Sequence, residues 1–423
     1  MIINREEAKI VCDFIKSNAF KMMKAPTGVF KYPIIDPGAG YEENLWDWDS
    51  YWSAFALRDV CKYFKNDKDF DYSNKLNKLI EHSKGIVLNF LDFQLDDGFI
   101  PMVVTPNGLF STYLSDEHKK GNSVNQHKPF LCQQAFNASE INGSFEWLRE
   151  CTHKFEKYVQ YFEINQYDTK SGLFFWENDI MIGIDNNPAV YARPNRSVAD
   201  IYLNCFMYND LLSLSKIFDN LGNSDKKTEY LLKAELLSTS IRKECYDVRD
   251  GLYYGVDIKV KTNVNEIFNH GLGAFWNSIP IKIRTWASFL PMYCGIATKE
   301  EAEIMVQRHY NDPLFNSPFG IRTLSADEKM YNTENTSNPS NWLGAIWIVS
   351  NYCIFKGLLK YNYIEEARAI ASKTITLLSM DISKNGCMSE SYIPETGKPM
   401  MYGGFLNWDL LVISMLNELN YSL

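Results

Sequence analysis

Two kinds of helix alternate along this chain, and that alternation limits the folds open to it. Apolar periodicity predicts about twelve helices, over residues 5–23, 50–66, 73–93, 129–138, 143–163, 197–219, 224–246, 283–292, 298–310, 342–360, 363–380 and 404–419. Thr298 with Glu301 reads as a capping box, and Ser197 as the opening of another helix. The odd-numbered helices keep one polar face, as in KEEAEIMVQRH and YIEEARAIASKTITLL. The even-numbered ones, SYWSAFALRDVCKYF, WLGAIWIVSNYCIFKGLL and GGFLNWDLLVISML among them, are apolar nearly all round. A helix apolar on every side is buried on every side. Such an alternation describes an outer ring around an inner one, an (α/α)6 barrel that is otherwise all-α. No Pro/Ser-rich or charged linker interrupts the chain, so residues 1–423 read as one barrel domain.

A second repeat agrees. After odd helices come FQLDDGFIP, YDTKSGLFFW, YDVRDGLYYG and DISKNGCMSE. Asp and Gly at these spacings make tight turns, and the β-prone residues beyond them short strands. Short β-hairpins are therefore expected in the loops at the cup end. GLGAF and YGGF read as further tight turns.

Composition excludes several partners. The formal charge is −9 with no basic run, which disfavours nucleic acid and anionic membrane surfaces. Nine scattered cysteines, with no CxxC, fit a reducing compartment and argue against structural zinc. The amphipathic, charged start is not a signal peptide, and no stretch approaches about 18 uninterrupted apolar residues. A cytoplasmic location is expected. No HExxH, GxSxG, P-loop or dinucleotide fingerprint occurs, and no EF-hand loop. No cofactor or metal is expected; the sequence is silent on a structural calcium ion and on oligomeric state.

The loops leading into the inner helices hold WDWD, NQHKP, WENDIMIGIDNNP, NPSNW and SESYIPETG. In a barrel they open on one end, as a cup of Trp, Asp, Asn, Glu and Lys. Tryptophan stacks on the C–H face of a pyranose while a carboxylate takes neighbouring hydroxyls, so interleaved Trp and Asp suit a sugar subsite. The same residues could instead be core anchors and helix caps. Hydrolysing a glycoside takes two carboxyl groups flanking the bond. Asp47, Asp49, Glu177, Asp179, Asp185, Asp200, Glu390 and Glu395 are the candidates, and residue chemistry alone does not choose among them.

These motifs resemble glycoside hydrolase family 63, in particular its compact bacterial members acting on mannosylglycerate or glucosylglycerate, and more distantly the family 37 trehalases. The likeness runs from about Tyr32 to Leu416 and rests on LWDWDSYW, WENDIMIGIDNNP, the stretch from GIATKEEAE to KMYN, NPSNWLGAIW and SESYIPETGKP. The resemblance implies an inverting α-glycosidase acting on small α-glucosides or glycosylglycerate-type substrates. It implies Asp185 as general acid and Glu390 as general base, with the carboxyls roughly 6.5–9.5 Å apart to admit a water. Trp46, Trp48 and Asp49 would hold the sugar, with Lys128, Glu177, Trp342, Trp347, Tyr392 and Trp408 as further substrate-binding residues. The chain departs from the family pattern at Leu343, where an Arg is usual, and at His127-Lys128, where the family has Gln-Pro. Two alternatives remain: a phosphorylase or isomerase on the same fold, for which Arg193, Arg196 and Lys128 are the basic residues in reach, and a non-catalytic sugar-binding barrel.

Overall fold

A computed structural model describes residues 2–260, 276–334 and 340–423. Its helices are α1 (Arg5–Asn18), α2 (Asp47–Phe64), α3 (Tyr72–Asp92), α4 (Leu109–Lys119), α5 (Leu131–Asn142), α6 (Thr152–Asn165), α7 (Ile201–Asn220), α8 (Ser224–Cys245), α9 (Leu290–Cys294), α10 (Lys299–Met305), α11 (Ile348–Lys360), α12 (Ile364–Asn385) and α13 (Leu411–Glu418). Helices α2, α5, α7, α9, α11 and α13 each pack on the next, and α13 packs back on α2, closing a ring. α3 lies outside against α2 and α5, α8 against α7, and α12 against α11 and α13. Burial follows: fourteen of the eighteen residues of α2 are buried, against five of the twenty-two of α8. The fold is the expected (α/α)6 barrel.

Several local expectations need correction. α11 starts at Ile348, because residues 342–347 are held in a non-helical, bent path by side chains of the cup; the Trp342 N–H donates to Asn186 Oδ1 at 2.6 Å. Ser197 does not open α7: its hydroxyl turns back to the Pro194 carbonyl, and Asp200 stands at the N-cap. Thr298 and Glu301 do form the capping box. Two of the four expected hairpins pair as strands, Tyr167–Asp168 with Leu173–Phe174 and Tyr246–Asp247 with Leu252–Tyr253. At FQLDDGFIP the turn closes through two backbone bonds, Leu95 N–H to the Phe99 carbonyl and Gly98 N–H to the Leu95 carbonyl, without a strand. At DISKNGCMSE α12 runs on to Asn385 and ends at Gly386 in the left-handed conformation, φ +70°. GLGAF lies outside the described residues.

α4 has no counterpart in the sequence reading. Its Leu114 joins Met102 and Val103 in a small apolar cluster apart from the main core, and Trp46, Phe110, Val124 and Met181 pack against it. Leu45–Trp46 pairs antiparallel with Val103–Val104, and the Asp47 N–H donates to the Met102 carbonyl at 3.0 Å. That ladder fixes where α2 begins.

Candidate active site

WDWD straddles a strand-to-helix junction, with Asp47 and Asp49 in the first turn of α2, where carboxylates offset the helix dipole. Asp47 is sealed from solvent. Its Oδ1 accepts from the Trp48 N–H at 2.7 Å and lies 2.8 Å from Lys128 Nζ; its Oδ2 accepts from the Lys128 N–H at 2.8 Å. Lys128, just before α5, is therefore pinned at both ends of its residue. Asp49 accepts from Asn407 Nδ2 at 2.9 Å, tying the start of α2 to the turn before α13.

Trp48 meets the rings of Tyr202, Trp342 and Trp408 at centroid distances of 5.8, 5.9 and 5.2 Å. Trp342 stacks on Trp347 at 4.0 Å and 10°. The indoles form one continuous wall, and offset or tilted contacts of this kind are favourable beyond their buried area.

Opposite lies the loop before α7. Gly183 there has φ +94°, a left-handed backbone that favours glycine, and a Cβ on it would stand 3.1 Å from the Tyr202 hydroxyl and 3.2 Å from Lys128 Cδ, tight enough that those side chains would have to give slightly. Asp185 follows, half-buried at the cavity wall. Burial raises its pKa; Lys128, the Ser340 hydroxyl and the Gly183 backbone N–H oppose that rise. Ser340 also accepts from Trp342 Nε1 at 2.9 Å. Asn186 bonds both Asn341 Oδ1 and the Trp342 N–H, locking the Asp185 loop to the loop before α11.

Glu390 lies on the extended stretch before α13. Tyr41 donates its hydroxyl to Glu390 Oε1 at 3.0 Å, and Oε2 is buried with no partner among the described residues. Burial pushes the Glu390 carboxyl up to about 8; Tyr41 opposes the shift, while Asp49 and Asp185 add to it. Asp49 is likewise raised to about 7, by burial first and Asp47 second.

Asp185 and Glu390, far apart in sequence, line one cavity of about 110 Å³. Trp46, Trp48, Asp49, Lys128, Trp347 and Trp408 line it too, as expected. Three expected binding residues do not. Glu177 is spent on Arg196 at 3.4 Å, and its N–H on Asn125. Trp342 lies behind Trp347. Tyr392 is wholly buried, donating to Asp381 Oδ2 and accepting from the Ser389 N–H, so it braces the Glu390 stretch from behind. Among the other candidate carboxyls, Asp179 accepts from the Ala192 N–H, Asp200 sits at the α7 N-cap, and Glu395 pairs with Arg322. Tyr41, Met181, Gly183 and Ser340 complete the lining and were not foreseen. A larger cavity of about 670 Å³ lies where α1 meets the C-terminal residues, with Lys9 and Asp13 paired on its wall; neither Asp185 nor Glu390 reaches it.

Residues 42–408 match the family described as the Mannosylglycerate hydrolase MGH1-like glycoside hydrolase domain. The chain belongs to this family. As an MGH1-like glycoside hydrolase it is similar to Alpha-glucosidase 2 of Arabidopsis thaliana, 21% identical over 385 residues that cover 79% of this chain and 49% of that one. It thus spans about half the length of that curated relative. A family 63 mannosylglycerate hydrolase from Thermus thermophilus, solved in complex with glucose, superposes with a TM-score of 0.65 at 16% identity, covering 96% of this chain and 98% of that one. The neutral trehalase Nth1 from Saccharomyces cerevisiae gives 0.55 at 14% identity, over 91% and 73% of the two chains. At these identities the superpositions carry the fold. The trehalase likeness read from the sequence therefore extends to three dimensions.

Proposed function

We propose that this MGH1-like glycoside hydrolase cleaves small α-glycosides with inversion, Asp185 acting as general acid and Glu390 as general base. One observation carries the reading: two carboxyls from distant loops, Glu390 buried and Asp185 half-buried, line a single tryptophan-walled cavity. Asp185, its pKa raised by burial, holds the proton that passes to the glycosidic oxygen as the bond to the anomeric carbon breaks. Glu390 in its ionised form takes a proton from water, whose oxygen bonds to the anomeric carbon from the opposite face. Oε2 of Glu390, without a partner among the described residues, is the atom available to that water. Trp48, Trp347 and Trp408 would pack on the sugar, with Asp49 and Lys128 facing its hydroxyls.

Both proton transfers are made by carboxyl groups, so the reading needs no cofactor. Among the described residues no group of three His, Cys, Asp or Glu could hold a metal ion. Phosphorolysis is the weaker reading: the cavity's ammonium, Lys128, is already matched by Asp47. No helix among the described residues is long and apolar enough to cross a membrane. A cytoplasmic location is part of the proposal, supported by nine cysteines that all remain free thiols.

Proton NMR of the first-formed sugar tests the mechanism, using a panel of α-disaccharides and glycosylglycerates. The β-anomer should appear first. An α-anomer released first would overturn inversion, and an unchanged rate in Asp185→Asn would overturn the assignment of the acid.

A further inference from the structure

Resting on the hydrolase reading, we propose that the leaving group accepted by this site is uncharged and lays an apolar alkyl or aryl face on Trp46 and Met181. These two side chains line the cavity and also pack against the Met102, Val103 and Leu114 cluster. Their wall is therefore backed by a small core of its own, with Phe110 and Leu114 of α4 behind it. Met181 has φ +58°, a left-handed conformation that a long side chain rarely adopts and that persists only where the surroundings hold it. Here the Met181 carbonyl accepts from Lys128 Nζ at 3.4 Å, which helps keep the backbone turned with its thioether at the cavity wall.

Charge points the same way. Asp49, Asp185 and Glu390 give the lining three carboxyls. The one ammonium among the described lining residues, that of Lys128, stands 2.8 Å from Asp47 with both side chains closed to solvent, so its charge is already neutralised. A carboxylate on the leaving group would enter beside Asp185 and Glu390 without a counter-charge there. An alkyl or aryl group would instead bury apolar surface on an indole and a thioether, which adapts to irregular shapes.

The test compares kcat/KM for hexyl and phenyl α-D-glucosides and α-D-mannosides with glucosylglycerate and mannosylglycerate, and uses the α-glycosyl fluorides as substrates that make no aglycone contact. The native protein should favour the hexyl and phenyl glycosides over the glycosylglycerates by about tenfold or more, the scale of small apolar pocket contacts. Met181→Asn keeps a residue that tolerates left-handed backbone. It should lower the ratio of hexyl glycoside to fluoride kcat/KM by about tenfold. Glycosylglycerates cleaved as fast as the neutral glycosides would overturn the inference and leave the hydrolase reading standing, as would an unchanged ratio in Met181→Asn. Fluorides left intact by the native protein would overturn the hydrolase reading, and the inference with it.

Discussion

Lys128 and Asp47 form an ion pair at 2.8 Å with side chains only 2% and 0% exposed, and Lys128 lines the cavity that Asp185 and Glu390 share. Removing one partner strands the other charge in the core. Lys128→Met should therefore cost about 3–5 kcal/mol in chemical denaturation, and adding Asp47→Asn should restore much of that loss. A double variant no more stable than the single one would show that Asp47 is not what Lys128 serves.

Asp185→Asn and Glu390→Gln should each lower kcat by about 10²–10⁴ while the free sugar still binds, since neither change removes an indole from the wall. Calorimetric titration with the product sugar separates the two effects. Loss of sugar binding in step with turnover would mean these carboxyls hold the ring rather than move protons.

Tyr41 should set the acidic side of the pH profile. Its hydroxyl bond to Glu390 favours the ionised carboxylate and opposes the rise to about 8 caused by burial. A base works only when ionised, so the rate climbs as pH passes through its pKa. Tyr41→Phe removes the opposing bond, and the climb should move to higher pH by about one unit. Movement to lower pH would contradict this role.

Stability should fall as the pH rises from acid to neutral. Asp210, on α7, is buried, and burial raises its pKa from 3.8 to about 7 despite a bond from the Gln133 N–H. The folded chain then binds a proton that the unfolded chain releases, and Asp210 favours unfolding progressively from about pH 4 to 7, by at most about 1.4 kcal/mol per unit. Asp210→Asn can still accept from Gln133 and should flatten the dependence between pH 5 and 7. An unaltered slope in thermal midpoints across those values would refute it.

The ring architecture was legible because burial on all sides leaves a compositional trace: α2, α7 and α11 carry apolar residues around their whole circumference. α4 left no such trace, since Leu109 and Tyr113 point at solvent, 70% and 57% exposed, and the helix buries chiefly Leu114. In the site, motifs named the loops but not the orientation within each loop. Glu177 and Asp185 share one motif, yet Arg196 draws the first away while Ser340 and Gly183 hold the second at the cavity. Tyr41 carried no motif, because a lone tyrosine in GYEEN acquires meaning only when Glu390, 349 residues further on, folds onto it.

The bond from Asn407 to Asp49 has a temporal consequence. During translation the WDWD segment leaves the ribosome ahead of nearly the whole barrel, while the residue that fastens it and the helix that closes the ring come last of the barrel's parts. Until α13 docks on α2, the nascent protein holds an open arc of helices with its indoles uncovered, at the stage when multi-helix chains are most prone to aggregate. Completion of the cavity, to which Glu390 and Trp408 contribute, and protection from misassembly therefore arrive together, in a single late docking step.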